Sequence, residues 1–256
     1  MKKPKPKKIT TKAPVSVQQG KRVSIIERTP SGIEGLDELL GGGFEKKSII
    51  VVVGGPGTGK TLMAAEFLYN GATKYGEPGV LLNLEQTREN FKMHMLQMGM
   101  DIERLEMERK IIILSYSPNE IVEIIKGGGG LIKDAIDSIG AKRLAIDSLT
   151  ALISFYERSF DARRELARLF ASLRGWGITT LATVESHIHE SHSKYPFVEF
   201  LSDGVVLLRT YYEGNVRNYA IEILKVRGTE HSRTITPYQI TNEGVYIFAG
   251  EEVFSK

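Results

Sequence analysis

The residues Gly54-Gly55-Pro56-Gly57-Thr58-Gly59-Lys60-Thr61 carry chemistry most directly by type and spacing. They fit the pattern G-x-x-x-x-G-K-[S/T], a P-loop. Its glycines let backbone N–H groups close around phosphate oxygens, and a following helix N-terminus adds partial positive charge. Lys60 is spaced to reach the β- and γ-phosphates of a nucleotide, and the Thr61 hydroxyl to bind the Mg²⁺ that bridges them. The competing reading is a glycine turn with a chance lysine. The flanks oppose it. Ser48 to Val53 is a strongly apolar run that reads as a buried parallel strand, and Leu62 to Tyr69 reads as the opening of a helix.

Phosphate binding becomes hydrolysis only with acids at the carboxyl ends of neighbouring strands, where open α/β sheets hold ligands. Two are in place. Asp147 follows Leu144-Ala145-Ile146 and suits a Mg²⁺ shell. Glu85 follows the apolar Val80–Leu84 and can orient or deprotonate a water. Either can also be an ordinary strand-end acid capping a helix, and Gln86 a neutral surface group. Lys225 and Arg227 stand two apart on a strand, so they share a face. They are either a solvated edge or a pair of phosphate-stabilising fingers, and spacing alone leaves both open. His187, His189 and His192 have no Cys or acid cluster beside them and read as a polar loop rather than a metal site. Met93, Met95, Met98 and Met100 read as adaptable packing on a helix and its end.

The elements that must position these groups alternate. Strands are expected at 48–53, 80–84, 110–115, 144–147 and 178–184, with helices over 62–69, 88–99, 131–139 and 161–174. That alternation predicts βαβ units and a parallel, doubly wound sheet. Arg28–Leu40 reads as a turn and short helix stopped by Gly41-Gly42-Gly43, and Gly127–Gly130 as a flexible loop. From Gly204 onward, four runs (205–209, 219–225, 234–240, 245–248) with short turns read as antiparallel strands extending the core.

The chain has 256 residues and no cysteine, so disulfides and thiolate metal sites are excluded. No apolar run approaches the roughly 18 residues of a membrane helix, and no signal peptide is visible, so a cytoplasmic protein without a membrane partner is expected. The net charge of +3 hides an asymmetry: six lysines fall within residues 1–12, and without them 28 basic residues face 31 acidic ones. Residues 1–21 read as a basic tail, disordered or extended, that is either a DNA- or RNA-binding arm or a solubilising leader. Residues 22–249 form one domain, and 250–256 a short C-terminal tail.

Taken together, these stretches resemble the KaiC-like branch of the RecA superfamily. The resemblance is carried by Arg28–Phe44, the P-loop through Leu62, Gly76–Glu85, Ala145–Thr150, Phe200–Gly204 and Lys225-Val226-Arg227-Gly228-Thr229-Glu230-His231. It implies a RecA-type α/β core, mostly parallel with antiparallel C-terminal strands, and an ATPase using ATP and Mg²⁺. It implies a homo-oligomeric ring, commonly a hexamer, with ATP between subunits. Gly54 to Leu62 would hold the nucleotide from one side, and Lys225, Val226, Arg227, Thr229 and His231 from the neighbour. Lys60, Glu85, Lys225 and Arg227 would be catalytic, and Thr61 with Asp147 would serve the metal. The chain departs from the pattern in having one domain rather than two. Gln86 replaces a second glutamate, and Ser191–Pro196 lacks a Ser-Thr pair, so autokinase activity is not implied. Two other readings remain at this level: a RadA-like nucleic-acid motor, with Tyr211, Tyr212 and Arg217 adding contacts, and a nucleotide-gated platform with very slow turnover.

Overall fold

The protein, seen as a computed structural model, is described over residues 27–186 and 195–253. The basic tail, the three histidines near 190 and the sequence before Tyr195 lie outside the described residues.

The chain opens with β1 (Arg28–Thr29), α1 (Leu36–Leu39) and β2 (Phe44–Glu45), then β3 (Ile49–Gly54) and α2 (Lys60–Lys74). Next come β4 (Gly79–Asn83), α3 (Arg88–Gln97), α4 (Ile102–Met107), β5 (Ile111–Ser115), α5 (Pro118–Lys126) and α6 (Gly130–Ile139). They are followed by β6 (Arg143–Asp147), α7 (Leu149–Ile153), α8 (Ser159–Trp176), β7 (Thr179–Glu185) and α9 (Pro196–Leu201). The chain ends with β8 (Gly204–Glu213), β9 (Val216–Val226), β10 (Thr236–Thr241) and β11 (Gly244–Ile247).

Nine strands form one sheet in the order β11-β10-β9-β8-β3-β7-β6-β4-β5. Every residue of β3 is buried. Ile50 and Val52 face one apolar layer with α2, while Ile49, Val51 and Val53 face the other with α8. Such two-sided burial explains why β3 is continuously apolar rather than alternating. The expected α/β sheet is therefore present, with one adjustment. Its first C-terminal strand, β8, pairs parallel to β3, and antiparallel pairing begins only at β9. β7 and β8 flank β3, and the segment that joins them, which includes α9, is long enough for the crossover that parallel strands require.

Gly127–Gly130 also differs from expectation. The run is a tight joint, with Gly127 N donating to Glu123 O at 2.9 Å and Gly129 N to Ile124 O at 2.8 Å. Both bonds close the end of α5, so the glycines act as a helix cap and not as a loop.

Candidate functional site

Strand β3 delivers Gly54 to the sheet's carboxyl edge, and α2 starts at Lys60, so residues 55–59 must turn the chain within a few ångströms. Gly57 and Gly59 take φ of +72° and +85°, a region that side chains disfavour. The loop is then braced by its own atoms. Thr58 Oγ1 donates to Gly55 O at 2.8 Å, and Lys60 Nζ donates to the same carbonyl at 2.9 Å. The C-terminal strands brace it from outside: Tyr238 on β10 donates its hydroxyl to Thr58 O at 2.7 Å. Pro56 and Gly57 are exposed at the tip, and Leu62 anchors the first turn of α2 in the core.

Three acids converge on Lys60. Burial lowers its pKa, and the carboxylates of Glu185, Asp147 and Glu85 pull the other way. Asp147 ends β6, is 2% exposed and accepts from Thr183 Oγ1 at 2.5 Å. Glu85 lies two residues beyond β4 and accepts from the Ser148 hydroxyl. Partial burial raises the Glu85 pKa, and Asp147 and Glu185 raise it further, while the Ser148 bond and Lys60 oppose them. A carboxylate so destabilised is a stronger proton acceptor than a free one. Glu185 was not singled out from the sequence. It ends β7 in register with Gly54, and its N–H donates to Thr150 Oγ1 at 2.9 Å. The signal was available, since the same strand-end rule that selects Glu85 and Asp147 selects it.

Among the described residues no group of three or more His, Cys, Asp or Glu could hold a metal ion alone. Mg²⁺ is typically held by one or two carboxylates, waters and substrate phosphates rather than by a protein cage. Asp147 offers the carboxylate and Thr61, half-buried at the start of α2, offers the hydroxyl.

A cavity of about 480 Å³ opens beside the loop, lined by Gly59, Thr61, Gln86, Met95, Met98 and Ile240 among others. Met95 and Met100 are buried and Met98 packs against the same layer, as expected, whereas Met93 is exposed and lies outside the core; Met95 and Met98 also wall this cavity. Gln86 is likewise half-buried here and not a free surface group.

Lys225 and Arg227 share a face, as their spacing requires, but that face is far from their own P-loop. Val226 pairs with Gly204, and Gly204 pairs with Ile50, at the opposite end of β3 from Gly54. The offset is about 13 Å along the strand, before any displacement across the sheet. Lys225 Nζ donates to Glu199 O at 2.6 Å and Ser202 O at 2.7 Å. Arg227 donates to Phe200 O at 2.8 Å and pairs with Asp203 at 3.4 Å. Burial, then Arg227, lowers the Lys225 pKa. Thr229 accepts from Arg28 at 3.1 Å, and His231 Nδ1 lies 2.8 Å from Ser232 O. One chain thus brings together Lys60, Thr61, Glu85, Asp147 and Glu185, and holds Lys225, Val226, Arg227, Thr229 and His231 apart from them.

The family model described as "ATPase: KaiC" matches residues 29–252. The chain is similar to the circadian clock oscillator protein KaiC of Parathermosynechococcus lividus, 39% identical over 230 residues, covering 87% of this chain and 42% of that protein. It is also similar to the KaiC of Synechococcus elongatus, 40% identical over 224 residues, covering 84% and 43%. The chain spans less than half the length of these relatives. Among solved structures, a KaiC-like protein from the archaeon Pyrococcus horikoshii superposes with a TM-score of 0.79 at 34% identity, covering 87% of this chain and 99% of that one.

Proposed function

The chain belongs to the KaiC ATPase family, and from that premise we propose that it hydrolyses ATP with Mg²⁺ at the interfaces of a homo-oligomeric ring, six subunits in number, with a regulatory output in the cytoplasm. No helix among the described residues is long and apolar enough to cross a membrane. The observation that carries the reading is the separation of the two half-sites. The P-loop sits at one end of β3 and the Lys225–Arg227 pair at the other. A head-to-tail contact between copies would join them, and repetition of a heterologous contact with rotation closes a ring.

Each subunit then has two roles. Lys60 and the loop amides bind the β- and γ-phosphates, while Thr61 and Asp147 hold the cation, which supplies charge neutralisation. Glu85 accepts a proton as a water oxygen bonds to the γ-phosphorus and the bond to the bridging oxygen breaks, leaving ADP and phosphate. The neighbour's Lys225 and Arg227 stabilise the charge spreading over the transferred group. Val226, Thr229 and His231 line the same wall. Ser148 tunes the proton affinity of Glu85.

Mixing tests this directly. Lys60→Ala and Arg227→Ala should each be inactive alone. Combined, they should regain activity, because about a quarter of randomly mixed interfaces unite an intact P-loop with an intact arginine. A fully active monomer, or mixtures that stay silent while forming mixed rings, would refute the shared site.

A further inference from the structure

One cation of β9 does lie beside the P-loop of its own chain. Residues alternate across a strand, so Arg217, Tyr219, Ile221 and Ile223 form one row. Ile221 and Ile223 belong to the apolar layer that also contains the buried side of α2, and Tyr219 packs against that layer. Arg217 ends the row and is exposed. It pairs with Tyr212, four residues past the Leu208 that faces Gly54. The row therefore runs beyond the end of β3 and emerges next to the loop. A Cβ placed on Gly57 would stand 3.5 Å from one Arg217 guanidinium nitrogen and 4.0 Å from another.

The side chain is held in that position. Arg217 Nη2 donates to the Tyr219 hydroxyl at 2.8 Å, and its guanidinium carbon is 5.3 Å from the Tyr219 ring centre. Tyr219 in turn packs on Tyr238, with ring centres 5.4 Å apart, and Tyr238 is the donor to Thr58 O. Arg217, Tyr219 and Tyr238 thus line one flank of residues 57–58. The bond to Tyr219 uses one of five guanidinium N–H donors.

We propose that Arg217 contacts the polyphosphate of the nucleotide bound by its own subunit, adding a second positive charge to that of Lys60 from the outer side of Gly57. The proposal rests on the P-loop being a nucleotide site. A guanidinium suits the role because it stays charged and presents a rigid fork to phosphate oxygens.

Calorimetric titration of the full chain with a non-hydrolysable ATP analogue, ADP and adenosine tests it, using Arg217→Ala, Arg217→Lys, Tyr219→Phe and Lys60→Ala. Arg217→Ala should weaken binding of the analogue by about ten- to a hundredfold, the loss expected for a hydrogen bond to a charged group, and leave adenosine unchanged. Arg217→Lys should restore part of that loss, and Tyr219→Phe should show an intermediate effect. Native affinity in Arg217→Ala beside lost affinity in Lys60→Ala overturns the assignment while leaving the P-loop reading intact. Native affinity in both overturns the P-loop reading itself. An equal loss for the analogue and adenosine, or a loss confined to polynucleotide binding, also overturns the proposal.

Discussion

Glu66 sits in the second turn of α2 with its side chain turned inward, and replacing it with glutamine should stabilise the fold increasingly as pH rises. The residue is 5% exposed. Its Oε1 accepts from Val245 N at 2.9 Å, and Oε2 has no hydrogen-bond partner among the described residues. Burial pushes its pKa from 4.5 to about 8, with the Val245 bond and Lys74 opposing. Below pH 4.5 folded and unfolded chains both hold the proton, and Glu66 costs nothing. Between 4.5 and about 8 the unfolded chain releases it and the folded chain keeps it, so native stability falls. Above that range both are ionised and the cost is constant, on the order of 3 to 5 kcal/mol. Glutamine preserves the acceptor for Val245 and never ionises. Urea unfolding of both proteins at pH 5, 6.5, 8 and 9, at one fixed concentration, should therefore show the stability gap widening up to pH 8 and then levelling. Because every other titration is common to the two proteins, a gap that stays constant across the series would refute the reasoning.

Three further outcomes follow from neighbouring geometry. Gly244→Ala should destabilise by about 3 kcal/mol or more, since Gly244 has φ of +123° and a Cβ there would fall 1.6 Å from Glu66 Oε1; adding Glu66→Ala should relieve only the collision, as thermal unfolding of the pair would show. Ser148→Ala removes the hydrogen bond that lowers the Glu85 pKa, so the ascending limb of the ATPase pH–rate profile should move to higher pH, and an unmoved limb would dissociate Glu85 from the proton transfer. Arg143 is fully buried, with Nε 2.7 Å from Glu77 Oε2; Arg143→Met should cost about 3 to 5 kcal/mol by leaving Glu77 uncompensated, and Glu77→Gln in the same chain should recover part of it in chemical denaturation.

Long, buried or strongly patterned features were legible in the sequence. The P-loop and β3 could be read because a six-residue apolar strand next to a fixed glycine pattern has few other physical solutions. The elements not foreseen were α4, α5, α7, α9 and the β1–β2 ribbon. All but the nine-residue α5 are six residues or fewer, too short for a 3.6- or 2-residue period to declare itself. The parallel pairing of β8 escaped because strand direction depends on the crossover before it and not on the composition of residues 205–209. At the site, Asp147 and Glu85 were found by their position after apolar strands, and Glu185 meets the same criterion. The cavity walls could not have been read locally, since Gln86, Met95 and Ile240 come from three separate regions. Glu66 was discoverable in principle: it lies between Ala64-Ala65 and Phe67-Leu68, with apolar neighbours on both sides.

The bracing of the P-loop by the C-terminal strands has a consequence for how the protein is made. Tyr238 supports Thr58 across 180 residues of sequence, and Val245 reaches Glu66 across 179. At about 5 to 20 residues per second, a ribosome needs roughly 10 to 40 seconds between synthesising the loop and synthesising its supports. During that interval the nascent chain carries the whole nucleotide motif without the strands that hold it in shape. A stalled or prematurely terminated product ending before β10 would retain the sequence 54–61 yet lack its scaffold, so a nucleotide-ready loop would follow the synthesis of β10 and β11 and not the emergence of the motif.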